Sequence, residues 1–167
     1  VAEADFEEFF RGEHDALVSY CWGLTVDRHA AADLAQEAMA RAWSAWPTIG
    51  VDGSNPAAWL RVVVLNLVRS GWRRAQVAAE HAPARMPDPV EPGTRDLDLE
   101  RALRRLPERQ REAVVLHHLL DLAVAECASV MGVGESTVKV HLSRGRAALA
   151  SALTADAGAP VTAGSAD

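Results

Sequence analysis

The sequence predicts an all-α protein built as two small helical domains joined by a flexible linker. Three observations carry that expectation. Alanine, leucine and arginine are abundant, a composition that favours helix. Apolar residues recur at helical spacing in two long stretches, and no stretch alternates as a strand does. Between those stretches lies AQVAAEHAPARMPDPVEPGTRDLD, which holds Pro83, Pro87, Pro89 and Pro92 and has no sustained period. The boundaries so read are 1–74 for the first domain, 75–98 for the linker and 99–153 for the second domain; 154–167 form a small, polar, disordered tail.

Each element follows from local signals. Phe6, Phe9, Phe10, Leu17 and Tyr20 mark the first helix. Asp27 is placed to cap the next, HAAADLAQEAMARAWSAW, whose apolar stripe is Leu34, Ala35, Ala38, Met39, Ala42 and Trp43. Its other face carries Asp33, Gln36, Glu37 and Arg41 at positions that a helix brings together. A loop from Thr48 to Ser54 follows. Asn55 then caps a third helix with Pro56 at its first position. That helix, AAWLRVVVLNLVRSGWRR, is apolar enough to be central, with arginines gathered toward its end; Trp43 and Trp59 are expected in the core.

In the second domain, Leu99, Leu103 and Leu106 mark a helix stopped by Pro107. Pro107 opens another, with Val114, Val115 and Leu119 inward. LAVAECASVM, the turn GVG and ESTVKVHLSRGRAALASAL then form two helices around a short glycine turn, a helix-turn-helix. Winding the last helix at about 100° per residue puts Val138, Leu142, Gly145 and Leu149 inward. Ser136, Lys139, Val140, Ser143 and Arg144 fall outward, with His141 and Arg146 on the flanks.

The totals narrow the function. The formal net charge is -6, yet no acid occurs between Gly53 and Arg74, where Arg61, Arg69, Arg73 and Arg74 cluster. The single lysine, Lys139, stands with Arg144 and Arg146 on the last helix. Two basic patches on an acidic chain point to two places for an anion. A helix fits the DNA major groove, where Lys and Arg reach guanine edges or phosphates and Val140 can touch a thymine methyl. No apolar run is long enough to span a membrane, and VAEADFEEFF is not a basic leader; a cytoplasmic protein with two reduced, buried thiols, Cys21 and Cys127, is expected.

Catalytic readings fail on pattern. GVGES lacks the Gly-Lys-Ser/Thr ending of a phosphate loop and follows no strand. His117, His118 and Cys127 lack zinc spacing. No nucleophile elbow or paired carboxylates stand out, so no enzyme, cofactor or metal is expected.

The residues carry a family resemblance. LPERQREAVVLHHLLDLAVAECASVMGVGESTVKVHLSRGRAAL resembles region 4 of bacterial sigma factors. DLAQEAMARAW resembles region 2.2, and NPAAWLRVVVLNLVRSGWRR resembles regions 2.3 and 2.4. Order, spacing and the absence of other domains resemble the small extracytoplasmic-function (ECF) sigma factors. The resemblance implies a region 2 bundle, a region 4 helix-turn-helix and a promoter-specificity subunit of RNA polymerase. It places core polymerase binding, at the β′ clamp helices, on Asp33, Gln36, Glu37 and Arg41, with the β flap as a second contact. It places −10 recognition and strand opening on Arg61, Asn66, Arg69, Arg73 and Arg74, with a flipped non-template base near 48–54. It places −35 duplex recognition on Ser136, Thr137, Lys139, Val140, His141, Ser143, Arg144 and Arg146. It also implies an anti-sigma partner. Ser70 and Gly145 depart from the family pattern, which often has Asp and Ala there. The rivals are a stand-alone helix-turn-helix regulator, which would bind duplex DNA without polymerase, and a helical adaptor that binds only protein.

Overall fold

The computed structural model describes residues 2–51, 54–81 and 95–157. These form seven helices: α1 (Ala2–Thr25), α2 (Arg28–Ile49), α3 (Pro56–His81), α4 (Arg95–Arg105), α5 (Glu108–Val114), α6 (Val124–Met131) and α7 (Glu135–Ala157). A π-helical turn, Val115–Leu119, continues α5. No strand occurs among the described residues.

Local caps set the first domain. The Asp27 carboxylate accepts the Ala30 N–H at 2.8 Å, and the Asn55 amide oxygen accepts the Ala58 N–H at 2.9 Å, so two orphan donors of α2 and α3 are satisfied. Between α1 and α2 the chain turns through Val26, a β-branched residue at φ 52° whose side chain is buried. That conformation costs on the order of 1–3 kcal/mol, which the surrounding packing must offset. α1, α2 and α3 then close on Tyr20, Leu24, Ala38, Leu60, Val64 and Leu65, all buried.

Several boundaries and faces differ from the sequence reading. α2 runs through Pro47 to Ile49, so the turn begins at Gly50; residues 52–53 of the expected loop lie outside the described residues. α3 does not stop at Arg74 but continues to His81 through Ala75, Gln76, Val77, Ala78, Ala79 and Glu80, mostly good helix formers. The linker expected at 75–98 is therefore helical at both ends, since α4 already starts at Arg95; residues 82–94 lie outside the described residues. α7 reaches Ala157, and the rest of the expected tail, 158–167, also lies outside them. Trp43 is 49% exposed and Trp59 half-buried, whereas Trp46 takes the core position. Phe6 packs between them, 4.9 Å from Trp43 and 5.1 Å from Trp46.

In the second domain the π turn explains another difference. The Leu120 N–H bonds the Val115 carbonyl at 3.2 Å, one residue further back than in an α-helix. The wider turn rotates Leu119 outward, to 44% exposure, and leaves Leu116 and Leu122 to fill the core. α6 ends on Gly132 at φ 69°, the left-handed position that glycine adopts without penalty. The Glu126 carboxylate closes its other end by accepting the Ala123 N–H at 2.9 Å.

The inward stripe expected on α7 is present. Val138, Leu142 and Gly145 are buried and Leu149 is half-buried. At Gly145 a Cβ would stand 2.7 Å from Val114 Cγ2, so glycine lets α7 cross α5 closely. This is the physical reason for one of the two departures. At the other, the Ser70 hydroxyl accepts from Arg73 Nη2 at 3.1 Å.

The two domains share one continuous core. Gly23 of α1 packs against the side chains of Val115 and Leu119. Arg104 donates to the Val26 carbonyl at 2.7 Å, and Arg111 to the Leu24 carbonyl at 3.0 Å. Arg111 also stacks over Trp72, its guanidinium carbon 5.7 Å from the ring centroid.

Candidate nucleic-acid interface

The C-terminal half of α3 presents different residues on its two sides. On the side toward α2, Arg41, Asn66, Leu67, Ser70, Arg73, Arg74 and Val77 line an open cleft of ≈ 660 Å³. Asn66, Arg73 and Arg74 are exposed there. Arg73 and Arg74, with Arg41 paired to Glu37, make a cationic surface suited to a phosphate backbone. The cleft thus joins Arg41, expected on the polymerase side, to three of the residues expected at the −10 element.

Arg61 and Arg69 lie elsewhere. Arg61 lines a small crevice with Glu13, Tyr20 and Leu120, and its carbonyl accepts the Tyr20 hydroxyl at 3.3 Å. Burial, first of all, raises the Tyr20 pKa, so the phenol stays a neutral donor. Arg69 faces the second domain. Its Nε and Nη2 meet the two Glu112 carboxylate oxygens at 2.8 and 2.7 Å, and Nη2 also reaches the Met131 carbonyl at 3.2 Å. The Glu112 side chain has 0% exposure and that of Arg69 20%. The hydrogen bonds to Glu112 raise the Arg69 pKa, so the guanidinium is held charged. A bidentate fork of this kind fixes orientation as well as charge.

α7 carries the second surface. Ser136, Thr137, Lys139, Val140, Ser143, Arg144 and Arg146 are exposed, and His141 is half-buried. Arg146 Nε folds back on the Leu142 carbonyl at 3.3 Å. Lys139 and Arg144 form no ion pair among the described residues. A rigid helix with its apolar stripe seated on α5 and its polar face open has the form needed to enter a groove.

The stripe on α2 is the third. Asp33, Gln36, Glu37 and Arg41 are all exposed, and Arg41 Nε meets Glu37 at 2.7 Å. The buried thiols offer no reactive centre. Burial pushes Cys21 up to about 12 and raises Cys127 as well. Among the described residues no group of three His, Cys, Asp or Glu side chains could hold a metal, and no helix is long and apolar enough to cross a membrane.

Residues 9–77 match the family model for sigma-70 region 2, and residues 96–149 match that for sigma-70 region 4. An RNA polymerase sigma-E factor of Streptomyces coelicolor is 34% identical over 156 residues, covering 90% of this chain and 87% of that protein. The chain belongs to the sigma-70 family as an ECF sigma factor. A sigma-E factor of Streptomyces antibioticus is 37% identical over 87% of this chain and 82% of its own length. ECF sigma factor SigM of Mycobacterium tuberculosis is 33% identical over 87% and 75%. The sigma factor RpoE of Bartonella quintana, solved as a co-crystal with the anti-sigma factor NepR, superposes with a TM-score of 0.76 at 27% identity, over 91% of this chain and 98% of that one. As a sigma factor the chain is a transcription initiation factor, of a class that binds core RNA polymerase and promoter DNA.

Sequence pattern does not single out Arg104 or Arg111. A signal existed for Glu112. It stands three and four residues before Val115 and Leu116, on the apolar stripe of its own helix, where a charge demands a partner.

Proposed function

We propose that this ECF sigma factor divides promoter recognition between its three exposed surfaces. Asp33, Gln36, Glu37 and Arg41 on α2 bind the β′ clamp helices, and region 4 binds the β flap. The α3 cleft, with Asn66, Arg73 and Arg74, holds the −10 non-template strand; Arg61 and Arg69 extend that surface when their present contacts open. The α7 face from Ser136 to Arg146 reads the −35 element as duplex. The protein acts in the cytoplasm, where polymerase meets DNA. The observation that carries this reading is the open polar face of α7: its apolar stripe is consumed by packing on α5, while Lys139, Val140 and Arg144 stay exposed.

An anti-sigma protein is a further partner in this reading. Trp22, Leu99, Leu119 and Leu149 line an apolar hollow of ≈ 270 Å³ that such a partner would cover. A pull-down from native cells that recovers polymerase subunits alone would count against it.

The central test is binding to purified core polymerase. An Asp33→Arg, Glu37→Arg double variant reverses two exposed charges and loses an ion pair worth little to the fold, which circular dichroism checks. Wild type should bind tightly and the variant should not. Equal binding by both would remove α2 from the polymerase interface.

A further inference from the structure

One apolar side chain stands in the middle of the outward face of α7. Val140 is 46% exposed and is not part of the core. Wound at about 100° per residue, it falls roughly opposite the stripe of Val138, Leu142 and Gly145 that seats the helix. Ser136 and Ala147, both exposed, fall within about 40° of it. Arg144 stands about 40° to one side, and Lys139 about 100° to the other. Arg146 lies further round and folds back on the Leu142 carbonyl. The line Ser136, Val140, Ala147 is therefore short, and it can approach base edges closely while the cations flank it. The fold does not call for valine at this site, since a β-branched residue is a poorer helix former than alanine.

We propose that Val140 reads a thymine methyl, so that the −35 element of this chain holds a T·A pair facing the middle of α7. This inference rests on the reading of α7 as the −35 surface. The thymine C5-methyl is the apolar group that base pairs offer in the major groove; the other edge groups are hydrogen-bond donors and acceptors. Valine pressed on those groups strips them of water and offers no bond in return. Pressed on a methyl, it takes two apolar surfaces out of water together. Lys139, on the flank, meets the phosphate backbone, which positions the helix without carrying sequence. Val140 is then the specificity-determining residue at one T·A pair.

The test uses holoenzyme assembled from the full chain and purified core polymerase, with a pool of random-sequence duplexes from which it retains its preferred sites. The retained duplexes should share a fixed thymine in their upstream element. Each thymine, on either strand, is then replaced singly by deoxyuridine, which lacks only the methyl, and Kd is measured for wild type and Val140→Ala. Alanine at an exposed helical position keeps the fold, which circular dichroism verifies. At one upstream position deoxyuridine should weaken wild type about four-fold, the worth of one buried methyl, and leave Val140→Ala unchanged. Val140→Ala should lose a similar factor on the thymine duplex and nothing further on the deoxyuridine one; that non-additivity marks the contact. If no thymine is fixed upstream, or if every deoxyuridine weakens both proteins by the same factor, the thymine contact is overturned. Arg144→Ala separates this inference from the reading beneath it. If Arg144→Ala weakens binding while the coupling is absent, α7 keeps the −35 duplex and only the role of Val140 falls. If neither Arg144→Ala nor Val140→Ala changes binding to any retained duplex, the −35 reading of α7 falls with it.

Discussion

α3 and α7 are both long helices with basic residues on an acidic chain, but they place those residues differently. α7 has one apolar stripe, Val138, Leu142 and Gly145, seated on α5, so Lys139 and Arg144 point away. α3 is covered on nearly all sides from Pro56 to Trp72, where Asn66 alone is exposed, and packs against α1, α2 and α6. Its arginines therefore fall on more than one side. Arg73 and Arg74 line an open cleft, while Arg69 lies near buried Leu65 and Val68 and must find an anion inside the protein. A basic residue in an amphipathic helix is displayed by default. In a central helix its fate depends on what is packed beside it.

The largest effect that would break this comparison is on stability. Arg69→Ala leaves Glu112 buried with Arg109 alone and should cost about 3 kcal/mol in urea unfolding. Arg144→Ala, on the open face, should change stability by less than about 0.5 kcal/mol. Equal costs would mean that the two helices do not differ in the way described.

Arg144→Ala should show its effect in promoter binding by the holoenzyme instead. Loss of about 1–3 kcal/mol at one −35 base pair would mark a guanine contact, and a uniform loss over all sequences a phosphate contact.

The glycines sharpen the same contrast. Gly145→Ala drives a methyl to 2.7 Å from Val114 Cγ2 and should destabilise by about 1–2 kcal/mol despite the gain in helix propensity. Gly71→Ala in α3 meets nothing within 4 Å and should stabilise by up to about 1 kcal/mol. Paired thermal melts of the two variants should move in opposite directions.

A smaller effect than at Arg69 is expected at the α2 cap. Asp27→Ala should cost about 1 kcal/mol. The Ala30 N–H lowers the Asp27 pKa in the folded chain. Its contribution is therefore fully present above the unfolded value, near 3.9, and is lost as pH falls through the lower folded value. The difference between wild type and variant should shrink in acid and be flat from pH 5 upward.

Much of the fold was legible because its signals are local. Asp27 and Asn55 cap helices through bonds to residues three positions on, and Val138, Leu142 and Gly145 share a face by helical geometry alone. The outward polar face of α7 follows from the same periodicity. Trp43 and Leu119 depart from the periodic pattern because it carries no non-local or irregular information. Which of two nearby tryptophans enters the core depends on Phe6 of another helix, and Leu119 turns outward on a π turn that no periodicity announces. The prolines beyond α3 suggest an earlier stop, but the intervening alanines favour helix and carry it to His81.

By itself the sequence determined the helices, their caps, the outward polar face of α7 and the sigma-70 family. Each rests on neighbours within a turn or two, or on the order of motifs along the chain. Tertiary structure alone decided that Arg69 faces Glu112, across 43 residues of sequence, and that Arg104 and Arg111 hold the α1–α2 corner. A charge on an apolar helix can be located by periodicity, but its partner is chosen by packing, because burial makes an unpaired charge costly and leaves the nearest counter-charge in space to answer it.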